Sequence, residues 1–106
     1  MEMLMTANEN EFAPVTPGEM LREEFLAEYG LSQSQLAKAL RISPNRIAEI
    51  VANRRRITAD TALRLSLYFG NSPEFWMNLQ THYDLKTACR NLQPEEVERI
   101  KAQRAA

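Results

Sequence analysis

Two helix-start signals separated by a tight turn lie between Leu31 and Ile57, and they constrain the fold more than any other feature of the chain. Ser32 followed by Gln35 is a capping box: the serine oxygen accepts from a free backbone N–H of the first turn, and the glutamine reaches back to the cap. Ser43 followed by Pro44 opens a second helix, because proline at the first helical position gives up an N–H that would be unpaired anyway and brings a suitable φ. Only Arg41 and Ile42 separate the first helix from the second cap. Leu36, Ala37 and Leu40 on one helix and Ile47, Ile50 and Val51 on the other have the apolar spacing that mutual packing requires. Small Ala37 permits a close crossing, and Ile42 plugs the space under the turn. The prediction is a helix-turn-helix over residues 32–53.

Packing of that apolar stripe leaves Asn45, Arg46 and Glu49 on the outer face of the second helix. These residue types read base edges in a major groove: arginine pairs with guanine O6 and N7, asparagine with adenine N6 and N7, and glutamate accepts from cytosine N4. The alternatives are a plain solvated face or, for Glu49, an ion pair with Arg46 one turn earlier. Arg54, Arg55 and Arg56 follow directly and suit contacts to DNA phosphates. Arg41 stands where such turns often carry glycine, and a left-handed backbone there costs about 1 kcal/mol.

A net charge of −1 over 106 residues argues against nucleic acid only until the charge is mapped. Residues 1–30 carry −6, from seven glutamates against Arg22, whereas residues 31–64 carry +5, from seven bases against Glu49 and Asp60. The basic middle coincides with the helix-turn-helix, and affinity for phosphate follows charge at the contact. The acidic start, with Glu23, Glu24 and Glu28 on the first helix, suits a basic partner.

Residues 1–14 lack periodicity and read as a flexible arm. Thr16-Pro17-Gly18-Glu19 starts helix 1, with Met20, Leu21, Phe25 and Leu26 as its apolar face and Gly30 as its stop. Asn53 ends helix 3. Thr58 starts helix 4, with Asp60 in its first turn and Leu63, Leu67 and Tyr68 as the expected buried side. Helix 5 opens at Ser72-Pro73 and continues toward Leu85 and Ala88. A last start at Pro94 heads a short, thinly apolar segment. The expectation is an all-α fold: an arm at 1–14, a five-helix domain at 15–90, and a partly helical tail at 91–106.

On helix 5, Phe75, Trp76, Leu79 and Tyr83 suit either the core or the contact of a symmetric homodimer, the form that reads a palindromic operator. His82, Tyr83 and Asp84 are neighbours that point apart on a helix, so no catalytic residues and no enzyme activity are expected. One cysteine, Cys89, and one histidine exclude an internal disulfide and a zinc ligand set, and no cofactor or metal is expected. No apolar run approaches a membrane span and no secretion signal is evident, which implies a cytoplasmic protein with no membrane partner.

Taken with Gln35-Leu36-Ala37 and Ile42 to Ile47, the segments Pro17 to Leu26, Arg55 to Leu65 and Pro73-Glu74-Phe75-Trp76-Met77-Asn78-Leu79-Gln80 make residues 15–85 resemble phage-repressor-like (XRE-type) helix-turn-helix proteins, and more closely the HigA family of antitoxins. The resemblance implies a five-helix phage-repressor-like domain that binds a palindromic operator in double-stranded DNA as a homodimer, with Gln33 and Ser43 at phosphate-contacting helix starts. It further implies a small basic RNA-cleaving HigB/RelE-like toxin as partner, with repression of the shared operon. A free-standing phage-type repressor without a toxin, or an adaptor that keeps the fold without DNA affinity, are the competing expectations.

Overall fold

In the computed structural model the described residues are 15–104, and every regular element among them is a helix. The arm expected at 1–14 and the last two residues of the tail lie outside the described residues. Six helices follow one another: α1 (residues 17–29), α2 (Gln33–Leu40), α3 (Pro44–Val51), α4 (Ala59–Phe69), α5 (Pro73–Asn91) and α6 (Pro94–Gln103). The sixth is additional to the five expected in the domain and falls in the tail expected to be partly helical, and it buries none of its residues. Its local signals agree with a helix: Pro94 at the first turn, Glu95 and Glu96 at the positive end of the helix dipole, and Lys101 near the negative end. Two compact units divide the chain, one of residues 15–83 and the other including residues 84–104.

Caps written into the sequence set the ends of the helices. Both halves of the Ser32–Gln35 box form, with Gln35 N–H donating to Ser32 Oγ at 3.0 Å and Ser32 N–H to Gln35 Oε1 at 2.8 Å. Thr16 and Ser43 accept from the backbone N–H three residues on, at 3.0 and 3.2 Å. At the other ends Gly30, Arg41 and Asn53 all adopt φ 62°. After each of them the next N–H reaches back to a carbonyl in the last turn: Leu31 to Leu26, Ile42 to Ala37 and Arg54 to Glu49. This motif satisfies carbonyls that the helix end orphans and turns the chain sharply. Arg41 does hold the left-handed conformation that disfavours a side chain.

The core of the first unit draws on every helix it contains. Leu21, Leu26, Leu36, Ala37, Leu40, Ile47, Ile50, Ile57, Ala62, Leu65 and Trp76 are buried and form one cluster. α1 is π-helical over Leu21–Leu26 and α-helical on either side, and the wider turn, closed by i→i+5 hydrogen bonds, accompanies burial of both Leu21 and Leu26. α4 presents a different face from the expected one. Leu63, Leu67 and Tyr68 are exposed, and Thr61, Ala62, Leu65 and Ser66 are buried in their place. The buried Ser66 hydroxyl is satisfied locally, its Oγ donating to the Leu63 carbonyl at 2.8 Å.

Gly18 marks a close approach of two helices. A Cβ at this position would fall on the Ile50 carbonyl oxygen, 2.7 Å from the Val51 carbonyl oxygen and 2.9 Å from Asn53 Oδ1. Only a glycine lets the start of α1 pack on the end of α3 at this distance. The loop that leads from α3 into α4 is tied down from α5, where buried Gln80 accepts from the Ile57 N–H at 2.8 Å. The helix expected to read DNA is therefore packed at its C-terminus against α1, and the loop after it is clamped by α5.

Candidate nucleic-acid interface

Ser43 caps α3 and Pro44 starts it, so the first outward residues are Asn45 and Arg46. Asn45 is exposed, while Arg46 and Glu49 are half-buried. The side chain of Arg46 is held by two groups of α4. Its Nη1 donates to Asp60 Oδ2 at 2.9 Å and to Thr61 Oγ1 at 3.3 Å. The expected alternative of an Arg46–Glu49 pair does not form. Glu49 instead accepts from Arg55, whose Nε and Nη2 both reach Oε1, at 2.7 and 2.6 Å. A helix neighbour loses here to a loop arginine because the reversal of the chain at Asn53 brings residue 55 back toward the end of α3.

Asp60 is the hub of this surface, although its place in the sequence marks it only as a favourable charge for the helix dipole. Its Oδ2 accepts from Arg46 and, at 2.9 Å, from Arg64 Nε one turn along α4. Arg64 Nη1 also donates to the Leu40 carbonyl at 2.9 Å, satisfying an orphan acceptor at the end of α2. The hydrogen bond from Arg46, then that from Arg64, holds the Asp60 carboxyl below its ordinary value of 3.8, against the opposing effect of desolvation. An Asp–Arg pair four residues apart on one helix is legible in a sequence. The link to Arg46, fourteen residues away, is not.

The residues expected to contact phosphate lie at the starts of α2 and α3 and in the loop after α3. Gln33 is the first residue of α2, and the Ser43 hydroxyl accepts from Arg46 N–H while keeping its own O–H to donate. Arg54, Arg55 and Arg56 are exposed. Arg55 is drawn to Glu49, yet its side chain stays about half exposed.

The predicted dimer residues divide between core and surface. Trp76 is fully buried, with its indole N–H bonded to Asn71 Oδ1 at 3.0 Å and its ring 4.7 Å from that of Phe25, so it has no surface to offer a second copy. Leu79 packs on the core, Tyr83 is half-buried, and Phe75 is exposed at the edge of the aromatic cluster. The larger exposed apolar surface is on α4: Leu67 at 83%, Leu63 at 51% and Tyr68 at 43%. Glu23, Glu24 and Glu28 are exposed on α1, with Glu23 paired to Arg22 at 2.9 Å.

His82 is exposed and Cys89 half-buried. Among the described residues no group of histidine, cysteine or carboxylate side chains could hold a metal ion, and no helix is long and apolar enough to cross a membrane.

Known proteins are similar to this chain in sequence and in fold. Residues 21–76 match the helix-turn-helix family. The chain is 57% identical to virulence-associated protein I of Dichelobacter nodosus, over 81% of this chain and 80% of that one. It is 39% identical to antitoxin HigA-1 of Vibrio cholerae serotype O1, over 83% and 82%. The solved structure of Pseudomonas aeruginosa antitoxin HigA with the higBA promoter is similar at 44% identity and a TM-score of 0.70, covering 76% of this chain and 97% of that one.

Proposed function

This chain belongs to the HigA antitoxin branch of the helix-turn-helix family, and from that premise we propose that it is a sequence-specific repressor of its own operon. The family is one of transcription regulators and antitoxins, not enzymes. One observation of the structure carries the reading. The outer face of α3 presents Asn45 and an anchored Arg46, with three exposed arginines directly after the helix. A helix of this kind enters the major groove with its N-terminal residues against base edges, while arginines around it hold the backbone. Asn45, Arg46 and Glu49 are assigned to bases, and Gln33, Ser43, Arg54, Arg55 and Arg56 to phosphates. Glu49 reads a base directly or sets Arg55 for its phosphate.

Two partners complete the proposal. A homodimer doubles the small footprint of one helix-turn-helix and matches a palindromic operator. Phe75 and Tyr83 retain surface for that contact, to which the exposed α4 leucines add apolar area. The second partner is a HigB/RelE-like toxin, a basic nuclease attracted by Glu23, Glu24 and Glu28. Its support is the relatives named antitoxins and the acidic first helix. Co-expression with the neighbouring small basic protein, followed by affinity purification, tests this partner: a stable complex is expected, and separate elution at micromolar concentration would refute it.

A further inference from the structure

Arg46 is half-buried, and its Nη1 donates to two protein acceptors, Asp60 Oδ2 at 2.9 Å and Thr61 Oγ1 at 3.3 Å. Both acceptors belong to α4, whose N-terminus is set by the Thr58 cap. Thr61 is itself buried at 1% exposure, so its hydroxyl is a fixed post. Asp60 is braced from the other side by Arg64, which is in turn fastened to the Leu40 carbonyl. The guanidinium is thus gripped at one nitrogen by a chain of contacts running through α2, α3 and α4.

An arginine carries five N–H donors in a planar fork, and removing Nη1 leaves the Nε–Nη2 edge, whose two donors are parallel. Such an edge makes bidentate hydrogen bonds to a pair of acceptors such as guanine O6 and N7. A free arginine side chain would lose much of its rotamer freedom on meeting a base, whereas one held beforehand loses little. We propose that Asp60 is a positioning residue for sequence readout: it holds Arg46 Nη1 so that the Nε–Nη2 edge is presented to one base pair of the operator. Asp60 touches no base in this arrangement and acts through Arg46, with Thr61 as the second post. The inference rests on the assignment of Arg46 to the DNA interface made above.

The sign of the effect separates this role from a simple electrostatic one. A carboxylate beside DNA repels phosphate, so its removal alone strengthens binding to every sequence. Loss of positioning weakens binding only to the sequence that Arg46 reads. The test is a binding competition between the duplex upstream of the gene, single-base variants of it and a scrambled duplex, using wild type, Asp60→Ala, Asp60→Asn, Arg46→Ala and the Asp60→Ala/Arg46→Ala pair. Asp60→Ala should cut the specific-to-scrambled ratio about tenfold, a part of what a bidentate pair contributes, at the same base pair that Arg46→Ala affects. The double variant should lose no more than Arg46→Ala alone. Asp60→Asn keeps an acceptor oxygen and should retain part of the ratio.

A second measurement uses no DNA. In the free protein the Arg46 Nε–H and Nη NMR signals should be sharp in the wild type and averaged by rotation in Asp60→Ala, with the backbone spectrum preserved. If Arg46→Ala lowers the ratio and Asp60→Ala does not, the positioning role is overturned while the assignment of Arg46 stands. Tighter binding of Asp60→Ala to all duplexes alike overturns it too, as do Arg46 signals indifferent to residue 60. A wild type without preference for the upstream duplex brings down the functional reading, and the positioning role falls with it.

Discussion

At position 46 a single arginine belongs both to the domain's internal bonding and to its proposed binding face. Arg46→Ala should relax base preference at one position per half-site by about 1–3 kcal/mol. Equal loss on specific and random duplexes would mean a phosphate contact alone. Its partner Asp60 makes stability depend on pH. The folded carboxyl titrates below its ordinary value, so in acid the unfolded chain binds the proton more readily and stability falls with pH. The contribution is complete above the ordinary value of 3.8 and is lost as pH falls from there through the lower folded value. Thermal melts of wild type and Asp60→Asn should therefore converge in strong acid, and a constant gap between them would exclude the effect. Gly18→Ala drives a methyl group against backbone oxygens and should destabilise by about 1–3 kcal/mol or more, as a lowered Tm. An unchanged Tm would mean that α1 can shift at no cost.

Among the elements, α2 and α3 are legible in the sequence because everything that defines them is local. Ser32 with Gln35, Ser43 with Pro44 and the left-handed stop at Asn53 each act within a few residues. The face of α4 is not legible. Its sequence offers two stripes, one with Leu63, Leu67 and Tyr68 and the other with Ala62, Leu65 and Phe69, and hydrophobicity alone favours neither. The buried stripe is the one with small residues, Thr61, Ala62 and Ser66, which let neighbouring helices come close. The hub at Asp60 and the clamp from Gln80 are hidden for a different reason, since they join residues 14 and 23 positions apart. Gly18 reads in the sequence only as part of a helix opening, because its need for space arises from α3. The loop after α3 makes its own prediction. Replacing Arg54, Arg55 and Arg56 by alanine should weaken binding to all sequences alike and lower the log–log salt slope by about 0.9 for each phosphate no longer neutralised. An unchanged slope would make the loop a soluble connector.

For the whole molecule, charge separation is the organising property: an acidic start, a basic middle around α2 and α3, and a neutral remainder. Charge reversal at Glu23, Glu24 and Glu28 should slow association with the proposed toxin in a salt-dependent way and leave operator binding intact. Unaltered association at low salt would place the toxin on another surface. A dimer should engage half-sites one helical turn apart, about 34–36 Å between recognition helices. The central claim is that the outer face of α3 reads a defined DNA sequence. The most direct test is a titration of the protein onto the duplex upstream of its own gene and onto a scrambled duplex of equal length, at physiological salt. Binding to the upstream duplex should be tighter by about 10³-fold or more, and equal affinity for the two would contradict the claim.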